Sequence, residues 1–181
     1  TETILQLVAR SKEISVEKKI VDAIGKIKGA FSLVILTKDK MYGIKDPFGI
    51  RPLVIGKINN SFILASETCA LDMIGAKYVR DVENGEIVEI SIHGMRSTKA
   101  IAKINERPCI FERIYFSRPD SLIKGKTVYS YRKQLGVQLA NENRLNADVV
   151  IPIMDSGTPA ALGFSQKSNI PFEIGIIRSH Y

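Results

Sequence analysis

ADVVIPIMDSGTPAALGFS, residues 147–165, passes from an apolar run through a small polar turn into a helical pattern. DVVIPIM (148–154) is continuously apolar after its first residue and carries four β-branched side chains, the composition of a strand buried on both faces of a parallel sheet. PAALGFSQKS (159–168) reads as a helix, with Pro159 suited to a first position where a missing N–H costs nothing. Thr158 is a good N-cap. DSGT (155–158) then lies at the carboxyl end of the predicted strand, where open α/β sheets bind ligands. Free peptide N–H groups and the positive end of the helix favour a phosphate or pyrophosphate there. Gly157 lets the backbone approach a ligand, and the Ser156 and Thr158 hydroxyls can donate to it or touch a hydrated magnesium ion. A plain capped βα turn uses the same residue types, so these residues alone leave both readings open. The nucleoside-triphosphate loop is excluded, because it needs a longer Gly-rich stretch and a Lys.

Working outward, PFEIGII (171–177) predicts a second apolar strand, and VYSYRKQLGVQLANEN (128–143) a helix whose face runs through Val128, Tyr131, Leu135 and Leu139. Helix, strand, turn, helix, strand is the order of a doubly wound α/β fold. The first half has a different texture. Residues 2–10 place Ile4, Leu5 and Val8 on one helical face; Ser15 is a plausible N-cap for a second helix ending at Gly29. FSLVIL (31–36) suits a buried strand, and MYGIK (41–45) returns after the turn KDK. LVIGKI and SFILAS flank the turn NN (59–60) as a hairpin, and EIVEISI (86–92) alternates as a half-buried strand does. Short strands with tight connections predict an antiparallel sheet, with TCALDMIGA (68–76) as a short helix lying across it. INERP, in the polar stretch 98–108, marks a domain boundary, giving domains 1–100 and 101–181.

The 181 residues are 45% hydrophobic and 25% charged, ordinary values for a globular protein. A net charge of +7 permits an anionic partner, but the basic residues are dispersed and form no nucleic-acid-binding motif. No apolar run approaches the roughly 20 residues that span a bilayer, and no secretory leader opens the chain, so neither membrane nor nucleic acid is expected as a partner. Two cysteines, Cys69 and Cys109, are too few for a disulfide framework and suggest a reducing cytoplasm. Each reads first as a small buried hydrophobe, and His93 as a solvated turn residue. Thr1 invites an N-terminal nucleophile, but a helical pattern follows at once; a processed or fragmentary chain accounts for it better.

GAFSLVIL (29–36), KDPFGIRPLVIGK (45–57), ASETCALDMIGAKYVRDVENGEIVEI (65–90), CIFERIYFSRPDS (109–121), ADVVIPIMDSGTPAALGFS (147–165) and FEIGIIRSHY (172–181) together resemble the amidophosphoribosyltransferases, in family order over almost the whole chain. The resemblance implies a mixed α/β and α+β chain: the later part of an N-terminal-nucleophile hydrolase (glutaminase) sandwich, then the start of a type I phosphoribosyltransferase domain. It implies glutamine and phosphoribosyl pyrophosphate as substrates, 5-phosphoribosylamine as product in purine synthesis, Mg2+ as cofactor and a cytoplasmic homo-oligomer. Asp155, Ser156, Gly157 and Thr158 match the pyrophosphate loop, with Ser156 at a magnesium position. Arg178, His180 and Tyr181 match the start of the loop that closes over the phosphoribosyl group. Cys109 matches a ligand of the [4Fe–4S] cluster of one branch, although members without a cluster also carry Cys there. The family's nucleophilic Cys, its oxyanion Asn-Gly pair and its Asp-Asp phosphoribosyl loop have no counterpart here, so the chain alone is expected to be an inactive internal fragment. The alternative is a non-catalytic phosphoribosyltransferase-fold regulator that binds DNA and phosphoribosyl ligands. Against it, no helix-turn-helix precedes the fold and the glutaminase-like half has no use in such a protein.

Overall fold

A computed structural model of the chain describes residues 2–102 and 104–179. The chain forms two compact units, Thr1–Ser66 with Ala76–Pro108, and Glu67–Gly75 with Cys109–Tyr181.

In the first unit two helices, α1 (Glu2–Arg10) and α2 (Val16–Gly25), precede the strands β1 (Ser32–Leu36) and β2 (Lys40–Lys45). The hairpin β3 (Val54–Ile58) and β4 (Ser61–Ala65) follows, and β5 (Lys77–Asp81), β6 (Glu86–Ser91) and β7 (Gly94–Lys99) complete the unit. All pairings are antiparallel, in one sheet ordered β1-β2-β6-β7 and another ordered β4-β3-β5. The period of two along β2 and β6 sorts the side chains into two cores. Tyr42, Ile44 and Ile87 face the helices and pack with Ile20 and Ile24. Val88 and Ile90 face the other sheet and pack with Leu53, Ile55 and Val82. Gly43 allows that second layer to close, since a Cβ there would lie 2.7 Å from the Leu64 side chain.

Several expectations change here. Ser15 does cap α2, accepting from the Lys18 N–H at 3.3 Å, but the helix ends at Gly25 and not Gly29. The Lys26 and Ile27 amides tighten onto the Ala23 and Ile24 carbonyls and close it early. β1 is an edge strand and not a buried one, with Val34 and Leu36 52% and 78% exposed. β6 is buried along most of its length, so its glutamates carry partners with them. Arg80 grips Glu86 with both terminal nitrogens (2.6 and 2.8 Å), joined by the Ser97 hydroxyl and the Glu83 N–H. Burial alone would raise the Glu86 pKa, but these donors outweigh it and hold the carboxyl below its ordinary value. Lys40 and Arg96 meet Glu89 at 2.9 and 3.2 Å. Asp46, fully buried, accepts from the Phe48 and Ile50 amides at 2.9 and 3.2 Å and so shapes the PFGIRP loop.

The second unit begins with α3 (Thr68–Met73), the short helix expected over 68–76. A π-helical turn (Glu112–Phe116), the ribbon β8 (Leu122–Ile123) and β9 (Lys126–Thr127), α4 (Val128–Glu142) and α5 (Thr158–Ser168) follow. The buried stripe of α4 is Val128, Arg132, Gly136 and Ala140; Leu135 and Leu139 are exposed. Contact decides this, because α4 and α5 meet backbone to backbone. A Cβ on Gly136 would fall 1.8 Å from the Ala160 carbonyl oxygen, and one on Gly163 would fall 2.1 Å from that of Lys133. The runs 148–154 and 171–177 do meet in parallel, with Val150 bridging Phe172, but as a single bridge and not as buried strands. Ile151, Ile153, Ile174 and Ile177 are exposed, because no other strand among the described residues pairs with this bridge. No helix of the described residues is long and apolar enough to cross a membrane.

Candidate functional site

The DSGT segment is a turn between the Val150 bridge and α5, and the Met154–Asp155 peptide within it is cis. Its geometry differs from the cradle that the sequence suggests. The Gly157 N–H bonds the Ile153 carbonyl (3.1 Å) and the Thr158 N–H that of Asp155 (3.2 Å), so both amides are engaged inside the turn. Gly157 is needed for that closure, since a Cβ would lie 2.6 Å from the Ile153 oxygen. Gly157, not Thr158, is the N-cap; Thr158 is already helical, with Pro159 just behind it in the first turn.

Asp155 and Ser156 line a cavity of about 510 Å3 within the second unit, together with Ser117, Arg118, Arg132 and Arg178. Its charge comes from arginines and not from amides. Arg132 is 3% exposed and donates through Nε to the Arg113 carbonyl (2.8 Å) and through Nη2 to that of Ser117 (2.9 Å). Burial lowers its pKa, with the charge of Glu67 acting in the opposite direction. A guanidinium held by carbonyls instead of a carboxylate retains its charge for a ligand. Arg118, at the rim, forks onto Asp120 at 2.8 and 3.0 Å, which raises the pKa of the arginine and lowers that of the aspartate. Arg178 stands 3.6 Å from Asp155, both largely exposed, a pair loose enough for an anion to displace.

The predicted residues are therefore partly gathered. Asp155, Ser156 and Arg178 share the cavity, Gly157 and Thr158 do not line it, and His180 and Tyr181, like Thr1, lie outside the described residues. Sequence reasoning missed Arg118 and Arg132. For Arg132 a signal existed, as a charge four residues from Val128 and from Gly136 on one helical stripe.

An iron–sulfur cluster takes four cysteine ligands or close substitutes, of which the resemblance assigns this chain only Cys109. The chain has two cysteines, both free, and among the described residues no group of three His, Cys, Asp or Glu could hold a metal ion. Cys109 is half-buried ahead of the π-helical turn, with its carbonyl accepting from the Glu112 N–H. Magnesium is a different case, because it commonly uses one carboxylate and completes its shell with substrate phosphates and water. Asp155 and Ser156 suit an ion carried in by a pyrophosphate.

A layered antiparallel unit joined to an α/β unit with a cationic cavity is a mixed α/β architecture. A family model described as a glutamine amidotransferase domain matches residues 1–73. The amidophosphoribosyltransferase of Rhizobium etli is 50% identical over 186 residues, covering all of this chain and 38% of the relative. That of Bacillus subtilis is 42% identical, again over all of this chain and 38% of the relative. The solved glutamine phosphoribosylpyrophosphate amidotransferase of B. subtilis, complexed with ADP and GMP, superimposes with a TM-score of 0.97 at 42% identity, covering all of this chain and 40% of that one. The chain is thus similar over its whole length to part of the amidophosphoribosyltransferases, its first unit having the N-terminal-nucleophile hydrolase fold, and it spans less than two fifths of the length of these curated relatives.

Proposed function

We propose that the chain supplies part of an enzyme that forms 5-phosphoribosylamine from phosphoribosyl pyrophosphate and glutamine, and that its cavity receives the pyrophosphate end of the first substrate. The observation that carries this is the convergence of Arg118, Arg132 and Arg178 on Asp155 and Ser156 in one cavity. Three guanidiniums against one lining carboxylate favour a polyanion, and their planar forks match phosphate oxygens in pairs. Ser156 supplies a hydroxyl to orient the anion, and Asp155 can turn from Arg178 to a magnesium ion that arrives with it. When bound, that ion would neutralise charge on a departing pyrophosphate.

The 181 residues contain none of the groups that the family uses to attack glutamine, so the chain by itself is proposed to bind and not to turn over. Homo-oligomeric assembly and a cytoplasmic setting belong to the same reading. Calorimetric titration of the chain with magnesium phosphoribosyl pyrophosphate tests it. Saturable binding that Ser156→Ala and Arg178→Ala each weaken is expected. Equal affinity in all three proteins would place the ligand elsewhere, and ammonia release from glutamine would refute the inactivity.

A further inference from the structure

Glu67 and Thr68 are joined to the rim of the cavity from far away in sequence. Glu67 Oε2 accepts from the Arg118 N–H at 2.8 Å and from the Ser121 hydroxyl at 2.6 Å. Thr68 Oγ1 accepts from the Leu122 N–H at 2.8 Å. Thr68 and Ser121 are almost fully buried, so water cannot easily replace these bonds. From the other side Arg132 holds the Ser117 carbonyl, and the Tyr129 N–H, in the first turn of α4, bonds the Pro119 carbonyl at 2.8 Å. The 117–122 loop that carries Arg118 is thus tied at each end and in the middle; two carboxylates reach it from outside the loop, Glu112 at the Ser117 hydroxyl (3.3 Å) and Glu67 at Arg118 and Ser121.

We propose that Glu67 is a positioning residue for the anion cavity, fixing the Arg118 loop through a single carboxylate oxygen, so that its hydrogen bonds are needed and its charge is not. The proposal rests on the anion-binding reading above. Its distinctive content comes from the geometry. Both donors meet the same oxygen, so the carbonyl oxygen of a glutamine can take both. The negative charge meanwhile stands near the cationic cavity and opposes an incoming anion. A residue kept only to balance the charge of Arg132 would show the reverse pattern, with glutamine failing as badly as alanine.

The test titrates the 181-residue chain, its Glu67→Gln variant and its Glu67→Ala variant with magnesium pyrophosphate by calorimetry, and follows amide exchange at Arg118 and Leu122. Loss of two such bonds is expected to weaken binding about tenfold in the alanine variant, while the glutamine variant stays within about twofold of the parent or binds more tightly. Exchange at both amides should quicken in the alanine variant alone. Equal weakening in both variants, or none in the alanine variant, overturns the proposal. If the parent binds no pyrophosphate, the anion-binding reading and the proposal resting on it both fall; quickened exchange in the alanine variant alone would then show that the loop tie is real but serves something else. Should Glu67→Ala not fold, Ser121→Ala removes one of the two donors, and about a threefold weakening is expected in place of tenfold, with unchanged affinity counting against the proposal.

Discussion

Gly136→Ala separates two physical arguments that give opposite signs. Gly136 is inside α4, where replacing glycine by alanine ordinarily stabilises a helix by about 1 kcal/mol. The new methyl would lie 1.8 Å from the Ala160 oxygen, 2.6 Å from its carbonyl carbon and 2.9 Å from its Cα. All three are backbone atoms of α5, so no side chain can swing aside. The helices must part by about 1.5 Å to restore ordinary contact, and that opens the Gly163–Lys133 contact as well. Overpacking of this kind costs about 3 kcal/mol, which leaves a net destabilisation of about 2 kcal/mol after the gain in propensity. Urea unfolding of both proteins measures it, with an unchanged slope and a lower midpoint expected. Because α5 begins at the DSGT turn, pyrophosphate affinity should fall too. A raised midpoint would mean that α4 and α5 do not pack through their glycines, and the reasoning would fail.

Three further outcomes test other parts of the structure. Arg80→Ala leaves Glu86 buried without its main partner and should cost about 3 kcal/mol by urea unfolding at neutral pH. Because the folded pKa of Glu86 is lowered, its stabilisation is complete above the ordinary glutamate value near 4.3 and disappears as pH falls through the folded value; the parent midpoint should drop on that acid limb and the Glu86→Gln midpoint should stay flatter. On α4, Leu139→Lys should shift stability by less than about 0.5 kcal/mol while Val128→Ala loses about 2 kcal/mol, and the reverse ranking would restore the leucine face as the buried one.

What could be read from the sequence depended on whether local chemistry or distant contact decides. The Asn59–Asn60 hairpin was legible because Asn tolerates the positive φ found at Asn59, and α1 and the Ser15 cap followed from local pattern. β5 (KYVRD) and β7 (GMRSTK) were not, being polar edge strands that only pairing with β3 and β6 makes strands. The face of α4 was misjudged because a backbone-to-backbone contact selects glycines, and hydrophobicity ranks glycine below leucine. Burial of 148–154 was overestimated because a parallel strand is covered only when neighbours pair with it, which composition alone does not report. For the cavity, the sequence reading rested on the DSGT amides, two of which the turn itself engages. The arginines that carry the charge come from 118, 132 and 178, and no local spacing relates those positions.

The central claim is that the DSGT turn and these arginines form one pyrophosphate site. Residue-resolved NMR titration of the 181-residue chain with magnesium pyrophosphate tests it most directly. Saturable shifts confined to residues 155–158, 117–119 and the side chains of Arg132 and Arg178 are the expected result, at millimolar concentration or below. Saturable shifts elsewhere in a folded chain, or none at these positions, would contradict it.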